Sequence, residues 1–268
     1  MTWTPIVGKD FNLIELKSFI DSLIFNWKPP LIVWHNTALP TIAQWEKSYQ
    51  QDLSNNLEPG ITRIRSLESY FKGMGWSAGP HAFVYKDKVW AFTPFNKKGV
   101  HSPSWNGIAI GIEMIADFDK EDDEHGIGLQ IKNNTIALTA MLCEKLGLNP
   151  ETAIKLHKED PKTTHDCPGH NIAVDKQLMI DSVLEYMGHG GEHVGDSDLI
   201  APKTRTGVVT TDGLNVRETS SASAKVITQL KASSKVTILN EAMNGNTKWL
   251  YIGNGWVAAK FIKEIQNG

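Results

Sequence analysis

Two histidines and one cysteine stand where they could hold a metal ion together. His35 directly follows the apolar run 31–34, and His157 directly follows another short strand-like run. Cys167 lies ten residues after His157, in a loop with Asp-Pro and Pro-Gly turn signals near its ends. A catalytic zinc ion takes three protein ligands of these types and keeps a fourth position for water. The spacing therefore predicts a catalytic zinc site, and a structural site is disfavoured because no fourth ligand is evident.

The segments around these ligands alternate between helical and strand-like patterns. Apolar spacing predicts helices at 11–24, about 41–53, 61–72, 134–146 and about 173–187. Strand-like runs occur at 31–34, 82–85, 89–92, 107–115 and 153–156. This alternation predicts an α/β domain with a mixed central sheet flanked by helices. Ligands that follow two strands of such a sheet are expected to meet at one of its edges.

At these positions the sequence resembles the zinc-dependent N-acetylmuramoyl-L-alanine amidases, which include phage endolysins, cytoplasmic muropeptide amidases and animal peptidoglycan recognition proteins. The resemblance covers about residues 25–187 and depends on three ordered motifs, which are Ile32–Thr37, Gly111–Glu113 and His157–Gly169. In that family the first histidine, the second histidine and a cysteine or aspartate after the loop bind zinc. The resemblance therefore implies that His35, His157 and Cys167 are the zinc ligands.

The resemblance also implies two catalytic residues. Glu113 matches the family glutamate and would act as the general base, although a surface or ion-paired carboxylate is the alternative. Some phage members use a tyrosine where this sequence has Pro80, which makes Glu113 more necessary. His165 stands two residues before Cys167, where lysine or threonine is usual. It would donate a hydrogen bond to the developing oxyanion, or it is a simple loop residue.

Three more residues are candidates for substrate contacts. His81 and His101 could line the cleft, and each is equally compatible with a structural role. Asn106 follows His101 in a segment that resembles a substrate-contact loop of the family. We therefore expect His81, His101 and Asn106 near the substrate, with less support than the ligands have.

The pattern changes after Pro202. Short alternating stretches separated by turn residues predict a small all-β barrel. The stretches 213–217, 249–252 and 255–257 resemble bacterial SH3-like domains, which often bind cell-wall peptides; a protein partner is the alternative ligand. The predicted organisation is an amidase domain at 1–187, a glycine-rich and polar linker at 188–202 and an SH3-like domain at 203–268.

The composition of the chain argues against several classes of protein. The 268 residues carry 27 Lys and Arg against 30 Asp and Glu, so no global charge favours nucleic acid. The two cysteines, Cys143 and Cys167, exclude a disulfide framework, although a single bridge between them stays formally possible. Cys143 is predicted to be a buried core thiol. No signal peptide is visible, and no stretch approaches the roughly 18 apolar residues of a membrane span.

Together these observations predict a peptidoglycan hydrolase that cleaves the amide between N-acetylmuramic acid and L-alanine with zinc-activated water. The partner would be peptidoglycan, without nucleic acid binding or membrane insertion, and the sequence sets no oligomeric state. A phage endolysin, made in the cytoplasm and acting on the cell wall after release or export, fits best. A secreted antibacterial effector amidase and a non-catalytic peptidoglycan-binding protein are the alternatives. The full ligand set and Glu113 argue for catalysis.

Overall fold

The computed structural model forms two compact units, Met1–His193 and Val194–Gly268. It describes residues 2–188, 205–217, 220–238, 240–244, 247–252 and 255–265. Apart from residue 188, the predicted linker at 188–202 lies outside the described residues.

The first unit is built on a six-stranded mixed sheet. Its strands are β1 (Lys9–Phe11), β2 (Leu31–Asn36), β3 (Ala82–Val84), β4 (Val89–Ala91), β5 (Ala109–Met114) and β6 (Ile154–Leu156). They lie in the order β1-β4-β3-β5-β2-β6. The pairs β2–β5, β2–β6 and β3–β5 are parallel, whereas β4 is antiparallel to β3 and to β1. This confirms the predicted mixed α/β architecture; the short edge strand β1 was not predicted.

Helices accompany this sheet along the chain. They are α1 (Leu13–Ser22), α2 (Ile42–Ser54), α3 (Ile61–Gly73), α4 (Gly126–Leu146), α5 (Pro150–Ala153), α6 (His170–Val174) and α7 (Lys176–Gly188). The start predicted for α4, residue 134, was wrong by eight residues. Lys132 interrupts the apolar pattern of this helix, because it is a charged residue at a buried position. Its ammonium lies between the carboxylates of Asp123 and Asp175, at 2.8 and 2.9 Å. The helix predicted at 173–187 is divided at Asp175 into α6 and α7.

The core of this unit forms where α4 packs against the sheet. Ile32, Val33 and Trp34 of β2 are all fully buried, which explains why that strand is a continuous apolar run rather than an alternating one. The indole Nε1 of Trp34 donates to Thr139 Oγ1 of α4 at 3.0 Å, so this buried donor is satisfied. Cys143 is also fully buried in α4, and both cysteines are free thiols, so the formally possible bridge does not form.

The described part of the second unit is dominated by antiparallel strands. These are β7 (Arg205–Val209), β8 (Leu214–Arg217), β9 (Val226–Leu230), β10 (Lys235–Ile238), β11 (Asn240–Asn244), β12 (Thr247–Tyr251), β13 (Trp256–Ala258) and β14 (Ile262–Ile265). They form two sheets, in the orders β10-β7-β14 and β11-β12-β13-β8-β9. Val216, Leu250 and Val257 belong to a separate buried core between them. The all-β prediction for this part of the chain is confirmed.

Among the residues that the structure describes, no helix has the length and apolarity that crossing a membrane requires.

Candidate active site

The three predicted metal ligands lie together at one edge of the sheet of the first unit. His35 lies near the carboxyl end of β2, and His157 directly follows β6, the parallel neighbour of β2. Parallel neighbours end at the same edge, so the two imidazoles are adjacent, with ring centroids 4.5 Å apart. One ligand atom from each of His35, His157 and Cys167 lies within 4.8 Å of the others.

Backbone hydrogen bonds bring Cys167 back to the two histidines. The N–H of Lys158 donates to the carbonyl of Cys167 at 2.8 Å, which closes the loop onto the residue after His157. The N–H of Asn36 donates to Cys167 Sγ at 3.3 Å, so the sulfur lies against the end of β2. A peptide N–H directed at sulfur favours a thiolate.

The protonation of the three side chains suits a metal cation. Burial, and then His101 and His157, lower the pKa of His35 well below its ordinary value. Burial and the neighbouring His165 also lower the pKa of His157, so both imidazoles are neutral and keep a lone pair. Burial, and then Glu113, raise the pKa of the Cys167 thiol, so this sulfur ionises readily only beside a cation.

One buried nitrogen of the cluster has no hydrogen-bond partner. His157 Nε2 is buried and has no hydrogen-bond partner among the described residues. Buried polar atoms are almost always satisfied in folded proteins, so a missing partner requires an explanation. Two imidazoles and one thiolate are the donor set of a borderline-soft ion, and zinc fits the residues present.

Glu113 lies next to the cluster through the register of the sheet. Its strand β5 pairs with β2 so that Glu113 is opposite His35, and its Oε1 lies 3.8 Å from His35 Nδ1. Burial raises the pKa of Glu113 to about 8. The side chain is 15% exposed and lines the cleft, so it can meet a substrate and exchange a proton near neutral pH.

His165 lies on the rim of the site. Its residue is exposed, and its ring centroid lies 5.8 Å from that of His157. The loop geometry comes partly from Thr163, whose Oγ1 accepts the backbone N–H of His165 at 3.2 Å. The side chain therefore borders the cleft beside a candidate ligand without belonging to the cluster.

The three predicted substrate-contact residues separate in the structure. The prediction for His81 was wrong: its ring is fully buried, accepts the Gly111 N–H at 2.9 Å through Nδ1 and donates to the Lys97 carbonyl at 2.9 Å through Nε2. No ring nitrogen remains for a substrate. His101 lines the cleft but is 6% exposed. Asn106 also lines it, while its Oδ1 accepts the backbone N–H groups of His101 and Ser102 at 2.6 and 2.7 Å.

The cleft has two arms that meet at the cluster. The larger arm, about 830 Å³, contains His35, Glu113 and Cys167, and the smaller arm is about 380 Å³. Both arms are lined by Trp76, His101, His157 and His165. The two arms therefore adjoin each other at these four residues.

One face of α3 forms a wall of the larger arm, and this role was not predicted from the sequence. The residues on this face are Arg63, Ser66, Leu67, Tyr70 and Phe71. Their spacing is the helical i, i+3, i+4, i+7 repeat, which any amphipathic helix shows. The sequence therefore cannot distinguish a helix face that lines a cleft from one that packs in the core. Arg63 is the only lysine or arginine among the described residues that line this arm.

Asp160 joins the two loops of the smaller arm and was also missed. The residue is 1% exposed and accepts the Ser102 hydroxyl at 2.5 Å, the Ser104 N–H at 2.8 Å and the Lys162 N–H at 2.9 Å. Burial raises the pKa of Asp160, but the hydrogen bonds outweigh burial and hold it well below its usual range. The carboxylate therefore fixes the loop before Asn106 to the loop that leads to Cys167.

Two family models match parts of this chain. Residues 26–170 match the family model of N-acetylmuramoyl-L-alanine amidase, and residues 212–263 match that of the bacterial SH3 domain. The first match spans more than half of the chain, and the chain belongs to the N-acetylmuramoyl-L-alanine amidase family. It is an enzyme that hydrolyses the amide between N-acetylmuramic acid and L-alanine, with peptidoglycan as its partner. The predicted family, activity and SH3-like module are confirmed.

Solved structures that match part of this chain come from bacteria and an insect. An endolysin N-acetylmuramoyl-L-alanine amidase, LysCS from Clostridium intestinale, is 24% identical, with 66% of this chain and 91% of that chain covered and a TM-score of 0.41. Wild-type Drosophila PGRP-LB is 20% identical, with 57% and 82% covered and a TM-score of 0.45. A mutant endolysin from Bacillus subtilis is 19% identical, with 58% and 86% covered and a TM-score of 0.41. No curated protein matches significantly.

Proposed function

We propose that this amidase works with one zinc ion held by His35, His157 and Cys167. The supporting observation is the convergence of their ligand atoms within 4.8 Å, with two neutral imidazoles and a thiol that needs a cation to ionise. Three protein ligands leave a position open for chemistry. A bound zinc ion supplies Lewis acidity, which polarises a carbonyl and makes a nearby water molecule more acidic.

Glu113 is the proposed general base. Its carboxylate takes the proton of the attacking water and returns a proton to the leaving amine of L-alanine. The nearby cation lowers its pKa from about 8 toward the range in which a base works at neutral pH. His165 is proposed to donate a hydrogen bond to the oxyanion from the rim of the cleft, where its exposed side chain reaches the substrate.

The test of this proposal is digestion of purified peptidoglycan by metal-free and zinc-restored enzyme. Chelation should abolish release of peptides that begin with L-alanine, stoichiometric zinc should restore it, and glycan strands should stay intact. Magnesium should not replace zinc, because it prefers oxygen ligands. Full activity in metal-free enzyme would contradict the proposed zinc mechanism.

We also propose that the larger arm holds the stem peptide and that Arg63 binds one of its carboxylates. The guanidinium is fixed by α2, because Nε donates to Ser48 Oγ at 2.8 Å and Nη2 to the Gln44 carbonyl at 3.3 Å. Three further N–H hydrogens remain, and arginine pairs well with carboxylates. The smaller arm, with Asn106 and the hydroxyls of Thr163 and Thr164, suits the sugar.

Replacement of Arg63 by glutamine should raise KM roughly 10- to 100-fold for peptides with free carboxylates. A hydrogen bond between charged groups contributes about 1.5–3 kcal/mol, or about tenfold for each 1.4 kcal/mol. Kinetics with free and amidated stem peptides measure the effect. Arg65→Gln is the matched control, because Arg65 is 59% exposed and pairs with Glu68. An equal loss with amidated peptides would contradict the carboxylate role.

The proposed role of residues 203–268 is to hold the amidase domain, 1–187, on the cell wall, with 188–202 as the linker. A cavity of about 410 Å³ in this module is lined by Trp249, Phe261, Arg217 and other residues, which gives it aromatic and cationic groups for a wall peptide. Tethering raises the effective substrate concentration without changing the chemistry.

A chain that ends at residue 188 should bind insoluble peptidoglycan much more weakly than the full chain. Both forms would carry Glu113→Gln so that the polymer is not digested, and the bound fraction is measured by co-sedimentation. Loss of one of two binding sites removes an avidity gain of roughly 10²-fold or more. Equal sedimentation of both forms would contradict wall binding by the module.

The biological role that we propose is that of a phage endolysin, made in the cytoplasm and released to the wall. The pairing of an amidase with an SH3-like module supports this role. Bacteria that express the protein internally should remain intact until their membrane is permeabilised, and then lyse. A location beside secretion genes would instead favour the antibacterial effector.

A further inference from the structure

His101 links the proposed ligand His35 to the backbone of the sheet. Its Nδ1 lies 3.0 Å from His35 Nε2, and its Nε2 lies 3.2 Å from the carbonyl oxygen of Ala109 on β5. The His35 and His101 rings meet edge to face, with centroids 5.0 Å apart and an interplanar angle of 89°. His101 is therefore in direct contact with a ligand without belonging to the ligand cluster.

The direction of each hydrogen bond follows from the groups involved. The Ala109 carbonyl can only accept, so His101 Nε2 carries the hydrogen. A buried, neutral imidazole then has its lone pair on Nδ1, which faces His35 Nε2. His35 Nε2 must therefore donate, and the lone pair of His35 lies on Nδ1. This is the nitrogen that lies 3.8 Å from Glu113 Oε1.

We propose that His101 is a positioning residue that holds His35 in the tautomer whose Nδ1 is free to bind zinc. The inference rests on the proposed zinc site and deepens it. Metal-binding histidines usually donate their second N–H to a carboxylate, a backbone carbonyl or water. Here the acceptor is a second imidazole, so the backbone of Ala109 sets the orientation of His35 through His101.

Gly111 makes this arrangement possible. Ala109, Gly111 and Glu113 alternate along β5 and so share one face. A Cβ at Gly111 would lie 2.4 Å from His101 Cγ, so the ring fits against the strand only because this residue has no side chain. His81 holds the same glycine in place with two hydrogen bonds. The backbone N–H of His81 donates to the Gly111 carbonyl at 2.8 Å, and the ring Nδ1 of His81 accepts the Gly111 N–H at 2.9 Å.

The first experiment needs no substitution. Long-range ¹H–¹⁵N NMR on the metal-free wild-type protein reports which nitrogen of each neutral imidazole carries the hydrogen. The expected result is Nε2–H for both His35 and His101. A hydrogen on His35 Nδ1 would overturn the proposal.

The second experiment compares two substitutions at the same site. His101→Phe keeps a flat ring but removes the acceptor, and it should weaken zinc binding about 10- to 100-fold in a chelator competition. His101→Gln can accept from His35 and donate to Ala109, and it should retain affinity within a few-fold. His170→Phe, at an exposed histidine, is the control. Wild-type affinity in a folded His101→Phe protein would overturn the proposal.

The two proposals fail in different ways. Absence of zinc binding by the wild-type protein would overturn the proposed zinc mechanism. Tight binding by the wild-type protein and by His101→Phe alike would leave that mechanism standing and overturn the role of His101. If His101→Phe does not fold, the tautomer of His35 in the wild-type protein still decides the matter.

Discussion

Replacement of Cys167 by serine should remove most of the bound zinc and lower amidase turnover on the order of 10³-fold. The sulfur of Cys167 is the one anionic ligand that we propose, and its loss leaves two neutral imidazoles for a dication. Lewis acid stabilisation of the transition state amounts to several kcal/mol, and each 1.4 kcal/mol is about tenfold in rate. Metal analysis of purified protein and release of L-alanine-terminated peptides measure the two effects.

The chain offers a matched control for this substitution. Cys143 is the other cysteine; it is fully buried in α4 and is not a member of the cluster. Cys143→Ala should keep stoichiometric zinc and full turnover, at a stability cost of about 1 kcal/mol for the small volume lost. Stoichiometric zinc in Cys167→Ser would remove Cys167 from the proposed site.

Glu113→Gln should retain zinc and lose turnover by about 10²- to 10⁴-fold. Glutamine has nearly the same shape as glutamate but cannot accept the water proton, and general base catalysis contributes about this factor. Because Glu113 does not supply a ligand atom to the cluster, the zinc content of the Glu113→Gln variant should match that of the wild type. Loss of zinc in this variant would instead indicate a role as a ligand.

The pH profile separates Glu113 from His165. A general base must be deprotonated, so wild-type activity should rise with pH through the pKa of Glu113. That pKa is about 8 in the metal-free site and is lowered by a cation, so the acid limb should have its midpoint below pH 8. His165→Ala should keep this limb and lose about 10²-fold in turnover. If the Glu113→Gln variant kept the same acid limb, the limb would report the titration of another group.

The ligand cluster and the mixed sheet were predictable because local pattern and tertiary position coincide there. His35 and His157 each follow a short apolar run, and parallel strands end at one edge, so sequence position alone suggested their proximity. The strand of Glu113 was recognisable from its β-branched residues and glycines. Its register against His35 comes from strand pairing, which no local pattern encodes.

The different roles of the histidines beside the site could not be predicted from the sequence. His81 and His101 looked equivalent as candidates, yet one is fully bonded to the backbone and the other contacts a ligand. The difference depends on packing between distant segments: the His101 ring lies over the Cα of Gly111, whereas the His81 ring lies against Gly99. Asp160 was missed for a similar reason, since its partners at Ser102 and Ser104 are nearly sixty residues away.

The pairing of β2 with β5 has a consequence for protein engineering. His35 and Glu113 stand opposite each other on two hydrogen-bonded interior strands, so the separation between ligand and base is set by a backbone ladder. The segments 39–40 and 162–164 border the cleft but lie outside that ladder, and they contain none of the proposed ligands or catalytic residues. Grafting of these segments from other wall hydrolases should therefore retarget the enzyme to a new peptidoglycan while leaving its reactive centre in place.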